Sequence, residues 1–338
     1  MSPEATKQHK KQQLPAAPGP HQSQAQALLL RLIIVTTGQI PRIQQDSRPS
    51  ELLEIRKTRH GFLEMEVETR RVRAANLRSQ PFLGAGPRKV HCLHWRLCRK
   101  EPYAVIDLSL VQAPYLVRSE KTDPNDVTRP FNLYLDEFDE DWTTKVEGYD
   151  YIVISAGQWF FRPTIFYENR TLIGCLACQL DNVARLRMNF SYERAFRTAF
   201  RAINSLANFK GVTFLRTITP SHFEGGSWDK GGDCVRTMPY KRNEAVLEDY
   251  MVEMYEIQRR ELRIAQEEGS KRGLKFRLLD ATQPMLLRPD GHPSKYGHWP
   301  NEKMANDCVH WCLPGPIDTW NDFLQELIER EEARKSLV

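Results

Sequence analysis

Close to the carboxyl end of the chain, Asp307 stands three residues before His310 in the run Asp307-Cys308-Val309-His310-Trp311-Cys312-Leu313-Pro314-Gly315. A carboxylate so placed can hold a neutral imidazole in one orientation and stabilise the imidazolium formed when the ring takes a proton. The two residues are therefore a candidate general base and its orienting acid. The same run also reads as a surface Asp and His flanking a structural cysteine pair, and spacing alone leaves both readings open. Cys175 and Cys178 have ligand-like spacing, and Cys308, His310 and Cys312 supply further donors. No clean four-ligand set emerges from them, so no metal is expected, and structural disulfides are preferred if the chain is secreted.

Three other segments are polar and rich in turn formers: Ser155 to Phe160, Thr219 to Glu224, and Arg288 to Ser294. Gly157 would let a backbone amide approach an oxyanion closely. Gln158, Trp159, His222 and His292 are candidates for contacting a substrate, Trp159 by stacking on a sugar ring. Against this stand core packing for Trp159 and structural hydrogen bonding for the two histidines. Asn169 and Asn189 head sequons that would accept glycans in the secretory pathway.

The elements that must hold these residues follow from the apolar pattern. Tyr149 to Ser155, Gly211 to Ile218 and Leu274 to Leu279 read as short strands. Ser191 to Leu206 carries Ala195, Phe196, Ala199, Phe200 and Ile203 at helical spacing. Glu244 to Glu268 is a long amphipathic helix, and a final helix starts near Asp318 after Pro314-Gly315-Pro316. Strands alternating with helices imply an α/β fold whose mainly parallel sheet is covered on both faces. In such sheets the reactive residues lie in loops beyond the carboxyl ends of the strands.

At 338 residues, 41% hydrophobic and 27% charged, the chain can bury a sizeable core beneath a soluble surface. The net charge of +5 is spread along the chain without an aromatic-interleaved basic block, so nucleic-acid binding is not expected. Residues 1 to 60, rich in Gln, Pro, Ala and Lys, read as mostly disordered. Within them the apolar run Ala27 to Val35 is too short to span a bilayer. It is open between a signal-anchor remnant and a short buried strand or helix. Residues 61 to 100 fit neither helix nor strand period.

From about residue 101 to 330 the chain resembles the trichome birefringence-like family of plant polysaccharide O-acetyltransferases. The resemblance rests on long motifs in family order: LDEFDEDWTTKVEGYDYIVISAGQWFFRP, GCLACQ, FRTAFRAIN, GVTFLRTITPSHFEGGSWDKGG, LRPDGHPSKYGHWP and DCVHWCLPGPIDTWND. It implies an SGNH-hydrolase-like fold in a carboxyl-terminal PC-esterase domain over 101–338. It also implies Golgi localisation in membrane-anchored relatives, a cell-wall polysaccharide as acceptor, and an acetyl donor derived from acetyl-CoA, with no resident cofactor. Asp307 and His310 match the family's catalytic Asp and His, and the nucleophile should come from an earlier Gly-Asp-Ser.

No Gly-Asp-Ser occurs in this chain. The codons possible for Met65 to Ala75, read one base later, permit Trp-Arg-Trp-Lys-Pro-Asp-Gly-Cys-Glu-Leu-Pro, which resembles a family motif. The same shift over Ala85 to Cys98 permits a stretch ending Phe-Ile-Gly-Asp-Ser-Val. The expectation is a frameshift over roughly residues 60 to 99 that disrupts the first-strand region and removes the serine. Of the seven cysteines, Cys92 and Cys98 would then be accidents of frame, leaving Cys308 or Cys312 without a partner. Gln158, where many relatives carry His, favours xyloglucan over xylan as acceptor. The rival expectation is a non-catalytic carbohydrate-binding remnant.

Overall fold

The computed structural model describes residues 28–36, 52–57, 63–66, 104–126, 129–296, 306–312 and 315–335. In chain order the strands and helices are β1 (Leu28–Thr36), β2 (Leu52–Lys57), β3 (Leu63–Glu66), β4 (Ala104–Gln112), β5 (Val117–Lys121), β6 (Phe131–Phe138), α1 (Glu140–Thr143), β7 (Tyr151–Ser155) and β8 (Thr164–Glu168). They continue with β9 (Thr171–Leu176), α2 (Met188–Ser205), β10 (Val212–Arg216), α3 (Asp249–Ser270), β11 (Lys275–Leu279), α4 (Thr282–Leu286) and α5 (Pro316–Lys335).

The main sheet has the order β11-β10-β7-β1-β4-β2-β3. Its first five strands run parallel, while β2 is antiparallel to both β4 and β3. All five residues of β7 are buried, as a strand covered on both faces requires. Ile152 and Ile154 face a core filled by α2 and α3, including Phe196, Phe200, Met254 and Leu262. Tyr151 and Val153 face the opposite side, where Leu324 and Ile328 of α5 pack on Leu30, Leu32 and Phe214. The α/β architecture expected from the strand-helix alternation is the one observed.

The middle of the sheet is built by β1. Leu28–Thr36 pairs with β4 along all nine of its residues and with β7 from Leu32 to Thr36. Thus the run that the sequence left open between anchor remnant, helix and strand is a strand, set inside a stretch whose composition reads as disordered. Its apolar side chains override their polar surroundings because two neighbouring strands offer them a dry slot: Ile33 and Val35 are fully buried. Apart from β2 and β3, the remaining residues from 37 to 103, including most of the frameshift-like segment, lie outside the described residues.

A second sheet, β5-β6-β8-β9, packs its Phe131, Leu133, Leu135 and Phe166 into the same core as α2. Two disulfides are present, Cys175–Cys178 and Cys234–Cys308, and Cys312 is unpaired among the described residues. No helix among the described residues is long and apolar enough to cross a membrane.

Candidate active site

The candidate base and acid lie side by side. His310 Nδ1 sits 2.9 Å and 3.0 Å from the two carboxylate oxygens of Asp307. The backbone amides of Val309 and His310 also donate to Asp307 Oδ1, at 3.2 Å and 3.0 Å. The carboxylate thus organises its own turn before it orients the ring. Asp307 is anchored through two backbone hydrogen bonds with Ser294 and by the neighbouring Cys234–Cys308 disulfide. Its side chain is 24% exposed, whereas that of His310 is 80% exposed. With Nδ1 committed to Asp307, Nε2 is the nitrogen left to take a proton from a reactant.

Electrostatics follow from this contact. The bond to Asp307 raises the His310 pKa above its ordinary value, against a smaller opposing effect of burial. For Asp307 burial acts upward, but the bonds from His310 prevail and hold the carboxyl below its ordinary range. The imidazolium is therefore favoured at the end of a proton abstraction.

The dyad loop is tied to the carboxyl end of β10. Trp311 Nε1 donates to Thr219 Oγ1 at 3.0 Å, and the His222 amide donates to the Cys308 carbonyl at 3.1 Å. Thr219 also accepts, through its carbonyl, from Gln158 Nε2 at 3.3 Å. The turn after β7 and the dyad loop therefore share one residue. Gly157 is buried there, and a Cβ on it would meet Ile218 Cγ1 at 3.0 Å, which explains the need for glycine. Buried Gln258 of α3 stitches the two strand ends together: it accepts from the Ile218 amide at 2.8 Å and donates to the Ala156 carbonyl at 3.4 Å.

Other candidates have different surroundings. Trp159 is half-buried between Tyr115 and Phe131, with the Arg162 guanidinium 4.3 Å above its ring. His222 and His292 are buried and bonded to each other, and each uses its other ring nitrogen on a backbone carbonyl, so neither offers a nitrogen to a sugar hydroxyl. Asn169 is exposed in the turn between β8 and β9, open to a glycan; the Asn189 amide is engaged by Glu253. Among the described residues no group of three metal-ligating side chains converges. A cavity of about 860 Å³ beside the second sheet, lined by Arg118, Lys121, Glu137 and Arg170, touches none of the dyad residues.

Sequence reasoning passed over Gln258 and reached Thr219 only as the first residue of a polar segment. Gln258 did carry a signal: it is the polar member of the stripe Met251, Met254, Gln258, Leu262, Ala265, whose spacing is that of a buried helix face.

A mainly parallel sheet flanked by helices, with a carboxylate-held histidine in the loop before its last helix, is an α/β scaffold of the kind that hydrolases and acyltransferases use. Residues 86–327 match the family model described as PC-Esterase, the GDSL/SGNH-like acyl-esterase family found in Pmr5 and Cas1p. The chain belongs to this family. It is 53% identical over 232 residues to protein trichome birefringence-like 19 of Arabidopsis thaliana, covering 67% of this chain and 54% of that one. It is 50% identical over 226 residues to protein trichome birefringence-like 20 of the same plant, covering 65% and 47%. To xyloglucan O-acetyltransferase 4 of Populus trichocarpa it is 42% identical over 227 residues, covering 66% and 53%. The chain spans about half the length of the curated relatives it matches.

Proposed function

We propose that this chain is built for acetyl transfer to a hydroxyl of a plant cell-wall polysaccharide, xyloglucan before xylan, in the Golgi apparatus. The observation that carries the reading is the dyad: an exposed imidazole whose Nδ1 is held by Asp307 and whose Nε2 is left to act as base. Relatives named xyloglucan O-acetyltransferase support the choice of acceptor. In a relative with its serine intact, this base would deprotonate the hydroxyl as it attacks the acetyl donor, and then the sugar hydroxyl that receives the acetyl group. The Gly157 amide serves the oxyanion, and Gln158 and Trp159 border the acceptor.

The chain has no Gly-Asp-Ser, and this favours a second reading: a carbohydrate-binding protein with little or no turnover. Triad members act as a unit, so a base without its nucleophile retains little catalytic power. The experiment compares four proteins on xyloglucan and xylan oligosaccharides: the present chain, the present chain with His310→Ala, a chain with the shifted frame restored over residues 60–99, and that restored chain with His310→Ala. Transfer should appear on restoration and vanish again with His310→Ala. Strong transfer by the present chain, lost on His310→Ala in it, would refute the frameshift account and place the nucleophile elsewhere. Binding of the oligosaccharides without transfer by the restored chain would favour the second reading. Sequencing of the transcript across residues 60–100 tests the frame directly.

A further inference from the structure

His222 and His292 form the middle of a chain of three hydrogen bonds that ends on the backbone of the candidate base. His222 Nε2 lies 3.0 Å from the Leu286 carbonyl, at the end of α4. His222 Nδ1 lies 2.7 Å from His292 Nε2, and His292 Nδ1 lies 2.7 Å from the His310 carbonyl. Both ends of this chain are carbonyl oxygens, which only accept. Each outer contact therefore needs its own ring N–H, and the central contact needs a third. Two neutral imidazoles carry two ring N–H hydrogens between them, one too few.

We infer that the His222–His292 pair holds a third, shared proton and, as a buried monocation, positions the His310 loop. The inference rests on the reading of His310 as the base, but the proton count does not.

Three carboxylates favour one such charge, while burial and the nearby His310 oppose it. Glu224, bonded by Arg236 and by the Tyr240 hydroxyl, and Asp290, bonded by Arg288, bear on His222; Asp307 bears on His292. The Trp311 ring stands 4.1 Å from His292 and 5.8 Å from His222, and the Tyr240 ring is 6.1 Å from His222. Burial lowers the pKa of both rings, that of His292 to about 4, and so opposes the shared proton as well as a fourth; what favours the shared proton is the geometry, three contacts that between them need three ring N–H groups. The pair titrates as one unit. When the pH rises far enough to remove the shared proton, two lone pairs face each other across 2.7 Å and the pair separates, releasing the His310 carbonyl. His222 and His292 are thus positioning residues that act through His310.

The test is nitrogen-15 correlation spectroscopy of the histidine rings in the full chain, with a titration from pH 6 upward. Three ring N–H protons should be counted for the pair at neutral pH, with the shared one far downfield. The His310 resonances should report two steps, its own and a later one belonging to the pair. In His222→Asn the amide reaches the Nδ1 position and donates to His292 Nε2, so the later step should vanish while His310 keeps its first. A count of two protons at neutral pH, with a bare ring nitrogen, would overturn the inference in the wild-type chain regardless of how the variant folds. So would a His310 that senses only one step. Three protons in a chain whose restored form transfers no acetyl would instead overturn only the functional reading.

Discussion

Replacing Gln258 by Leu removes the side chain that joins the carboxyl ends of β7 and β10 while nearly preserving its volume. Gln258 is fully buried, and the Ile218 amide that donates to it at 2.8 Å would be left without an acceptor. An orphaned buried amide costs about 1–3 kcal/mol. The Ala156 carbonyl loses Gln258 as well, but it keeps the Tyr192 hydroxyl at 3.2 Å. Leucine avoids burying an amide and returns up to about 1 kcal/mol. The net loss is then about 0–3 kcal/mol, each kcal/mol lowering the melting temperature by about 2–4 °C in a domain of this size. The sharper assay is a double-mutant cycle with Tyr192→Phe, read by denaturant unfolding. Either single change leaves the Ala156 carbonyl one donor, and only the double change orphans it, so the two should be non-additive by about 1 kcal/mol. Hydrogen exchange at Ile218 should quicken in Gln258→Leu but not in Tyr192→Phe. Additivity within about 0.3 kcal/mol, together with unchanged protection at Ile218, would refute the account of Gln258 as the clamp behind the site.

Other outcomes follow from the same geometry. Asp307→Asn should lower the His310 pKa toward its ordinary 6.5, as read by magnetic resonance titration, because the bond to Asp307 is what raises it. In the unaltered chain the stability linked to His310 is fully present below pH 6.5 and is lost as pH rises through the raised folded pKa. The part linked to Asp307 is present above its ordinary 3.8 and is lost as pH falls through its lowered folded value; a pH series of unfolding curves separates the two. Cys234→Ser opens a disulfide that spans 74 residues and borders Asp307, and should cost about 2–5 kcal/mol by thermal unfolding. Gly157→Ala forces the Ile218 side chain to shift, at about 1–3 kcal/mol, measured by the same method.

The Asp307–His310 contact was legible because three residues in one turn are enough to bring a carboxylate to an imidazole. Strand β7 was legible because a continuous apolar run ending in turn formers has few other solutions. The His222–His292 bond was not: its partners are 70 residues apart, and their meeting depends on how two loops pack against Trp311. The second sheet went unread although β6 alternates, with Phe131, Leu133 and Leu135 buried and Asn132 and Tyr134 less so. That alternation was hidden among charged residues such as Asp136 and Glu137. Strand β1 was ambiguous for a different reason. An apolar run of this length suits a strand, a helix or an anchor remnant, and only neighbours that are distant in sequence decide among them.

The position of β1 also bears on how the chain acquires its shape. Strand β1 is made first, yet its partner residue on β7 for Leu32 is Tyr151, 119 residues later. At ordinary rates of synthesis that interval lasts about 6–24 s. Throughout it, Leu28–Thr36 is a nine-residue strand without its second neighbour, and its composition favours pairing with whatever strand edge it meets. Arg31 is the one charge within it, and in the finished sheet this residue is exposed. A charge inside an apolar strand is an effective brake on self-association. On this reasoning, substituting an apolar residue for Arg31 should reduce soluble yield far more than it changes the stability of the folded protein, as expression yield set beside thermal unfolding would show.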